Sequence, residues 1–194
     1  MKGTTGAQGA AGAKGATGAQ GPAGAKGATG AQGALGPTGP QGPAGPGPTT
    51  VRKASADNTN ATTTLSSATG LDLALAANTT YTFEYRILFQ SAATNTGISL
   101  AVTGPAGASL VSYTIHTPVS NGGTGGLYSG FGSAWDTAAT ATNVGTANTT
   151  YLAQIVGIVK TGASAGTLTP RFSSSRNGNQ VTLKTSSWGA LFTP

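Results

Sequence analysis

Cysteine is absent from the 194 residues. Disulfides and thiolate metal sites are therefore excluded, and the redox compartment cannot be read. Charge is scarce: only 7% of residues are Asp, Glu, Lys or Arg, against about a quarter in an ordinary soluble domain. The surface must be covered largely by Thr, Ser, Asn and Gly, which suits close packing against copies of itself or a larger assembly. There is one histidine, His116, and four acids, Asp57, Asp72, Glu84 and Asp136. A catalytic nucleophile needs a base that a third group orients, and no spacing here supplies one. The expectation is a protein that is not an enzyme, with no catalytic residues, no metal site and no cofactor. A His or Asp repeated about a symmetry axis is the one ion-binding option, and nothing in the spacing calls for it.

Long apolar runs are missing too, so no membrane insertion is expected. Glycine triplets follow Met1-Lys2 directly, without the apolar core of a secretory signal. The expected route is synthesis in a cytoplasm, with release by lysis or as part of a particle. The net charge is +6, half of it from Lys2, Lys14 and Lys26. That sparse row does not make a nucleic-acid surface. It fits docking onto something acidic, or plain solubilising charge.

What the chain has is glycine in register. Glycine fills every third position from Gly3 to Gly45, fifteen consecutive triplets that include Gly15 and Gly30. Three polyproline-II-like chains wind together only if every third residue leaves the crowded axis free of side chains. A flexible Gly-rich linker needs no such register. The register predicts a collagen triple helix, and with it a homotrimer, because one such strand alone buries nothing. Gly12–Gly21 reads Gly-Ala-Lys, Gly-Ala-Thr, Gly-Ala-Gln, Gly-Pro-Ala, and the same order returns from Gly24 with Gly-Ala-Leu as its last triplet. This duplication suggests a spacer, roughly 130–140 Å long at about 3 Å per residue. Pro37, Pro40, Pro43 and Pro46 crowd the last four triplets. Proline fixes φ before folding, so this end is expected to be the stiffest, with winding running from the head toward Met1. Gly47-Pro48 breaks the phase.

The expected divisions are a collagen-like stalk over 1–48, a linker over 49–53 and a β head over 54–194. Tyr81, Phe83, Tyr85, Ile87 and Phe89 alternate with Thr82, Glu84, Arg86 and Leu88, a half-buried strand. Ala-Asn-Thr-Thr-Tyr stands before it at 77–81 and again at 147–151. The Asn-Xaa-Thr sequons at 60, 78 and 148 are read as turns in a chain without a secretion signal. Tyr151–Lys160 is apolar on both faces, with Ile155 and Val159 on one and Leu152, Val156 and Ile158 on the other. A strand so covered predicts a second contact, most simply a neighbouring subunit. Further strands are expected over 71–76, 97–103, 109–117, 168–173, 180–185 and 188–192, with no helix. Such a run of short strands predicts an all-β C-terminal head, a β-sandwich or jelly roll.

Gly122, Gly123, Gly125, Gly126, Gly130 and Gly132 interleave with Leu127, Tyr128, Phe131 and Trp135. This stretch is expected to be a long loop. Its aromatics either stack on a host surface glycan or receptor or fold back into the core. Trp188 is assigned to the core, and His116 to a strand end near Pro118. Arg171, Arg176 and Lys184 read as a basic patch or as scattered solvated charge.

With its Asn78–Tyr85 strand and closing Val181–Phe192 segment, the layout resembles the collagen-stalked trimeric jelly rolls of the complement and tumour-necrosis-factor-like type. It is also similar to the small collagen-like fibre and decoration proteins of tailed bacteriophages. The resemblance implies a structural virion protein on the particle surface: a capsid decoration, or a tail or collar fibre, bound to other capsid or tail proteins. Phage fibres often carry an N-terminal anchoring domain. None is seen here, so attachment is expected through the stalk tip or the head. The alternatives are a collagen-like protein of a bacterial cell or spore surface, with sugars on Thr17, Thr29 and Thr38, and a glycan-binding fibre tip.

Overall fold

The structure, a computed structural model, describes residues 3–34, 49–121 and 124–193. Gly45, the proline-rich triplets around it, Gly122 and Gly123 lie outside the described residues. The chain divides into two units, Met1–Pro43 and Ala44–Pro194.

Residues 3–34 are exposed at every position and form neither helix nor strand. A polyproline-type strand has no internal hydrogen bonds to offer. A methyl group added at Gly3, Gly15 or Gly30 would meet nothing within 4 Å. Among the described triplets, nothing within one chain demands the glycine register.

The second unit is all β. Its strands are β1 (Thr50–Lys53), β2 (Asn58–Asn60), β3 (Ser66–Ser67), β4 (Leu73–Leu75), β5 (Thr80–Ser91), β6 (Ile98–Thr103) and β7 (Leu110–Asn121). They continue with β8 (Thr124–Gly132), β9 (Ala139–Thr140), β10 (Tyr151–Lys160), β11 (Gly166–Ser174), β12 (Val181–Leu183) and β13 (Trp188–Phe192). An eight-stranded sheet runs β1-β13-β5-β10-β7-β8, with β12 and β2 continuing beside the far end of β5. A five-stranded sheet runs β3-β11-β6-β9, with β4 also on β11. All the pairings are antiparallel.

The alternation on β5 decides which face is buried. Tyr81, Phe83, Tyr85, Ile87 and Phe89 join Ile155, Val159, Tyr113 and Ile115 of the same sheet in one apolar cluster. Ile98, Leu100, Val102, Leu168 and Phe172 of the smaller sheet complete it, which makes the head a two-sheet sandwich. Across the gap the Tyr85 hydroxyl donates to Leu168 O at 3.0 Å, and burial pushes its phenol pKa well above the ordinary value.

Both Ala-Asn-Thr-Thr-Tyr copies are turns, with Asn78 and Asn148 in the left-handed region at φ 51° and 56°. Asn reaches this conformation far more readily than a β-branched residue. Each asparagine N–H closes its turn across to another segment, Asn78 to Gly162 O and Asn148 to Ser91 O, both at 2.7 Å.

Three expectations are corrected. Thr50–Lys53, read as linker, is a strand on β13 with Val51 opposite Ala190. The stretch read as a loop from Asn121 is largely β8, the second arm of a hairpin with β7. His116 is not at a strand end, since β7 runs on to Asn121. Pro118 is tolerated there because β10 pairs with β7 only as far as His116, leaving no ladder bond on that side to lose.

The buried aromatics sit opposite glycines. Gly157 on β10 is flanked in register by Phe83 and Tyr113. Gly132 faces Tyr113 and Gly189 faces Tyr85. A methyl at Gly157 would lie 2.5 Å from the Phe83 ring, 2.6 Å from Ser112 O and 2.7 Å from Tyr113 Cβ. The backbone oxygen cannot swing away. Gly157→Ala is expected to cost the head about 1–3 kcal/mol, the usual penalty for overpacking a filled core, read as a lowered midpoint in denaturant unfolding.

Candidate interaction surface

Among the described residues seven large apolar side chains are exposed: Val51, Leu110, Leu127, Tyr128, Phe131, Leu152 and Val156. Strand register places all but Tyr128 on the outer face of the eight-stranded sheet. One cross-strand row reads Phe131, Thr114, Val156, Glu84, Ala190, Val51 over six adjacent strands. A second row, Lys53, Trp188, Arg86, Gln154, His116, Ser129, is polar apart from its tryptophan. Leu88 lies opposite Leu152. Of the interface residues expected on β10, Leu152 and Val156 are exposed and Ile158 is half-buried. All three lie on this face, near the middle of the sheet.

The four residues read as a receptor contact are not brought together. Leu127 and Phe131 point outward, 63% and 79% exposed. Tyr128, one residue on from Leu127, faces the other side and lines a cleft with Thr140, Thr142 and Asn143. Trp135 folds back: its indole N–H donates to Pro105 O at 3.0 Å, and its ring fills the space over Gly104. The turn around it is fastened by Tyr113, whose hydroxyl lies 2.8 Å from Thr137 O, and by Arg171, which donates to Asp136 at 2.9 Å.

Trp188 is corrected as well. It is half-buried on the outward side of β13, opposite Arg86. With Arg86, Leu88, Leu152 and Ser186 it lines an open groove of about 320 Å³. Ser186 sits at φ 76°, in the turn that carries the chain from β12 into β13.

Two of the charges on this face answer each other, while Lys53 and Lys160 have no acidic partner among the described residues. Arg86 and Glu84 approach to 3.5 Å, and the Gln154 amide, oriented with its oxygen toward Arg86, accepts from the guanidinium. His116 Nδ1 is 2.9 Å from Ser129 Oγ. The three cations read as a possible patch are not one. Arg171 pairs with Asp136 on the smaller sheet, and Lys184 pairs with Asp57 near β12. The Arg176 backbone closes a turn with Ser174 Oγ. No group of three His, Asp or Glu side chains arranged to hold a metal ion occurs among the described residues.

In sequence comparison, residues 1–51 match the collagen triple helix repeat family. No curated protein and no solved structure matches the chain. The chain thus joins a collagen triple helix repeat to an all-β antiparallel domain.

Asp57 clasps the start of β2 to the end of β12. It accepts from the Lys184 ammonium, and from the backbone N–H and hydroxyl of Thr185, each at 2.7 Å. These donors, Lys184 first, lower its carboxyl pKa from 3.8 to about 2. A depressed acid stabilises the fold above its unfolded pKa, and that contribution is lost as pH falls through the folded value. Thermal midpoints of the head are expected to fall between about pH 4 and pH 2, with a shallower slope in Asp57→Asn. An unchanged slope would mean the clasp does not couple to folding.

Proposed function

We propose that this chain is a non-enzymatic structural protein in which three copies wind their N-terminal triplets into a collagen stalk and so hold three β heads together. The observation that carries the reading is the unbroken glycine register in a strand whose own atoms leave every described triplet glycine, Gly3 through Gly33, free of contacts. A requirement with no source inside the chain must come from other chains, and the triple-helix axis is the place that imposes it.

Low charge, the absence of cysteine and the thin catalytic inventory support a mechanical and adhesive role. Together with the resemblance in layout, they favour a virion appendage of a tailed bacteriophage, a capsid decoration or a tail or collar fibre. The stalk acts as the spacer, and the head or the stalk tip as the attachment point to other virion proteins.

The stalk and its site on a particle are tested separately. In the cold the protein is expected to sediment as three chains and to show polyproline-type circular dichroism. Gly15→Ala, which meets nothing within a single chain, is expected to lower the melting of that signal by several degrees and leave head unfolding unchanged. Equal stalk melting in the variant and the parent would overturn the reading. Gold-labelled heads seen on intact virions would support the appendage role. Label confined to a bacterial cell or spore surface would move the protein to that class.

A further inference from the structure

The outer face of the eight-stranded sheet is large, carries six of the seven exposed large apolar side chains among the described residues, and ends at an open edge. Six strands at about 4.8 Å spacing, with β10 some ten residues long at about 3.3 Å each, give a face on the order of 800 Å². That matches the area each partner contributes to a standard stable interface, about 800 Å². At one side lies β8, at the end of the strand order. It has no Lys, Arg, Asp, Glu or Pro between Thr124 and Gly132, the residues that usually keep an exposed edge from pairing. Leu127 and Phe131 project from it. Two to four strands away on the same face, over β10, β5 and β13, is the open groove of Arg86, Leu88, Leu152, Ser186 and Trp188. The β8 edge of the face therefore offers apolar knobs, and its middle a largely apolar hollow.

A ring of identical subunits closes through two different patches that fit each other, whereas a two-fold pair uses one patch against itself. Resting on the three-chain stalk proposed above, we infer that the heads form such a ring. Leu127 and Phe131 on β8 of one copy seat in the Leu88–Leu152–Trp188 groove of the next, with Val156 between them on the covered face. The occupant is a second copy of this chain because the triplets tether exactly such copies beside one another. Tethering raises their effective concentration to about the millimolar range, so a modest contact is filled. The Glu84–Arg86 pair at 3.5 Å is neutral as a unit, and Lys53 beside Trp188 lies at the rim of the groove, where its ammonium can stay in water. On this inference Leu127 and Phe131 are assembly residues, not receptor contacts.

The absence of cysteine makes the test direct. Phe131→Cys and Leu152→Cys are introduced into the full chain, singly and together, and the protein is oxidised in the cold. Within one chain the two positions lie on strands that are not neighbours, roughly 10 Å apart sideways alone, beyond disulfide reach. The double variant is expected to shift from a one-chain band to a three-chain band on non-reducing gels, while each single variant stays at one chain. A two-chain band from either single variant would overturn the ring in favour of two-fold pairing. One-chain bands from the double variant, in a sample that sediments as three chains with polyproline dichroism, would overturn the head contact and leave the stalk standing. Three-chain bands without that dichroism would uphold the contact and overturn the stalk. Both substituted side chains are exposed, so folding is checked by the unchanged β dichroism of the head. As a second variant, Phe131→Lys is expected to reduce the three-chain species to one chain once the stalk has melted. Retention of three chains there would also overturn the contact.

Discussion

The buried row on β5 is the contact on which the head depends. Three strands pair along this one element, β10 over Thr80–Phe89, β13 over Thr82–Arg86 and β12 over Phe89–Ser91. The Tyr85 hydroxyl reaches across to the smaller sheet, and the Tyr81 hydroxyl takes the N–H of Ala76 at the end of β4. Side chains of this size fit only because the neighbouring strands put glycine where the rings lie. Phe83 and Tyr113 share Gly157, and Tyr85 lies on Gly189. Aromatic and glycine alternate across the sheet so that its inner surface stays level enough to receive the second layer.

The chain uses glycine in two ways. In the head, the close neighbours of Gly157, Gly132 and Gly189 are atoms of the same chain, and each glycine is accounted for locally. In the described triplets the same residue borders open space within the chain, the observation on which the proposed three-chain stalk rests. The outer sheet face has a similar incompleteness. It carries six exposed large apolar side chains, and the Arg86–Glu84 pair is matched within it. The proposed stalk and the proposed head contact thus rest on unrelated features of the chain.

How much could be read beforehand depended on whether alternation was visible. β5 was legible because its inner positions are all large and its outer ones mostly polar. β10 was legible as a strand-length apolar run after a turn, but with Ile155 and Val159 on one side and Leu152, Val156 and Ile158 on the other it carries no polar alternation to say which side faces out. The two asparagine turns showed themselves as a repeat. β8 was hidden because its inner positions include Gly130 and Gly132, which carry no hydrophobic signal and look like loop. Gly189 did the same for β13, so Trp188 could be placed on a strand but not on a face. β1, β2, β3 and β9 are too short and polar to carry a period. Trp135 was named as a contact because sequence does not reveal that Gly104 leaves room for its ring. The groove behind Trp188 joins three strands far apart in sequence, which no local pattern can show.

Among consecutive strands, only β7 and β8 pair with each other; the other ladders join distant segments. The first strand, β1, pairs with the final one, β13, at residues 188–192. During translation the large sheet therefore cannot close until residues 188–192 have left the ribosome, well after every glycine triplet has been made. Long-range antiparallel closure of this kind is slow. If the chains assemble as proposed, with the heads aligning the triplets, completion of this last strand sets when winding can begin.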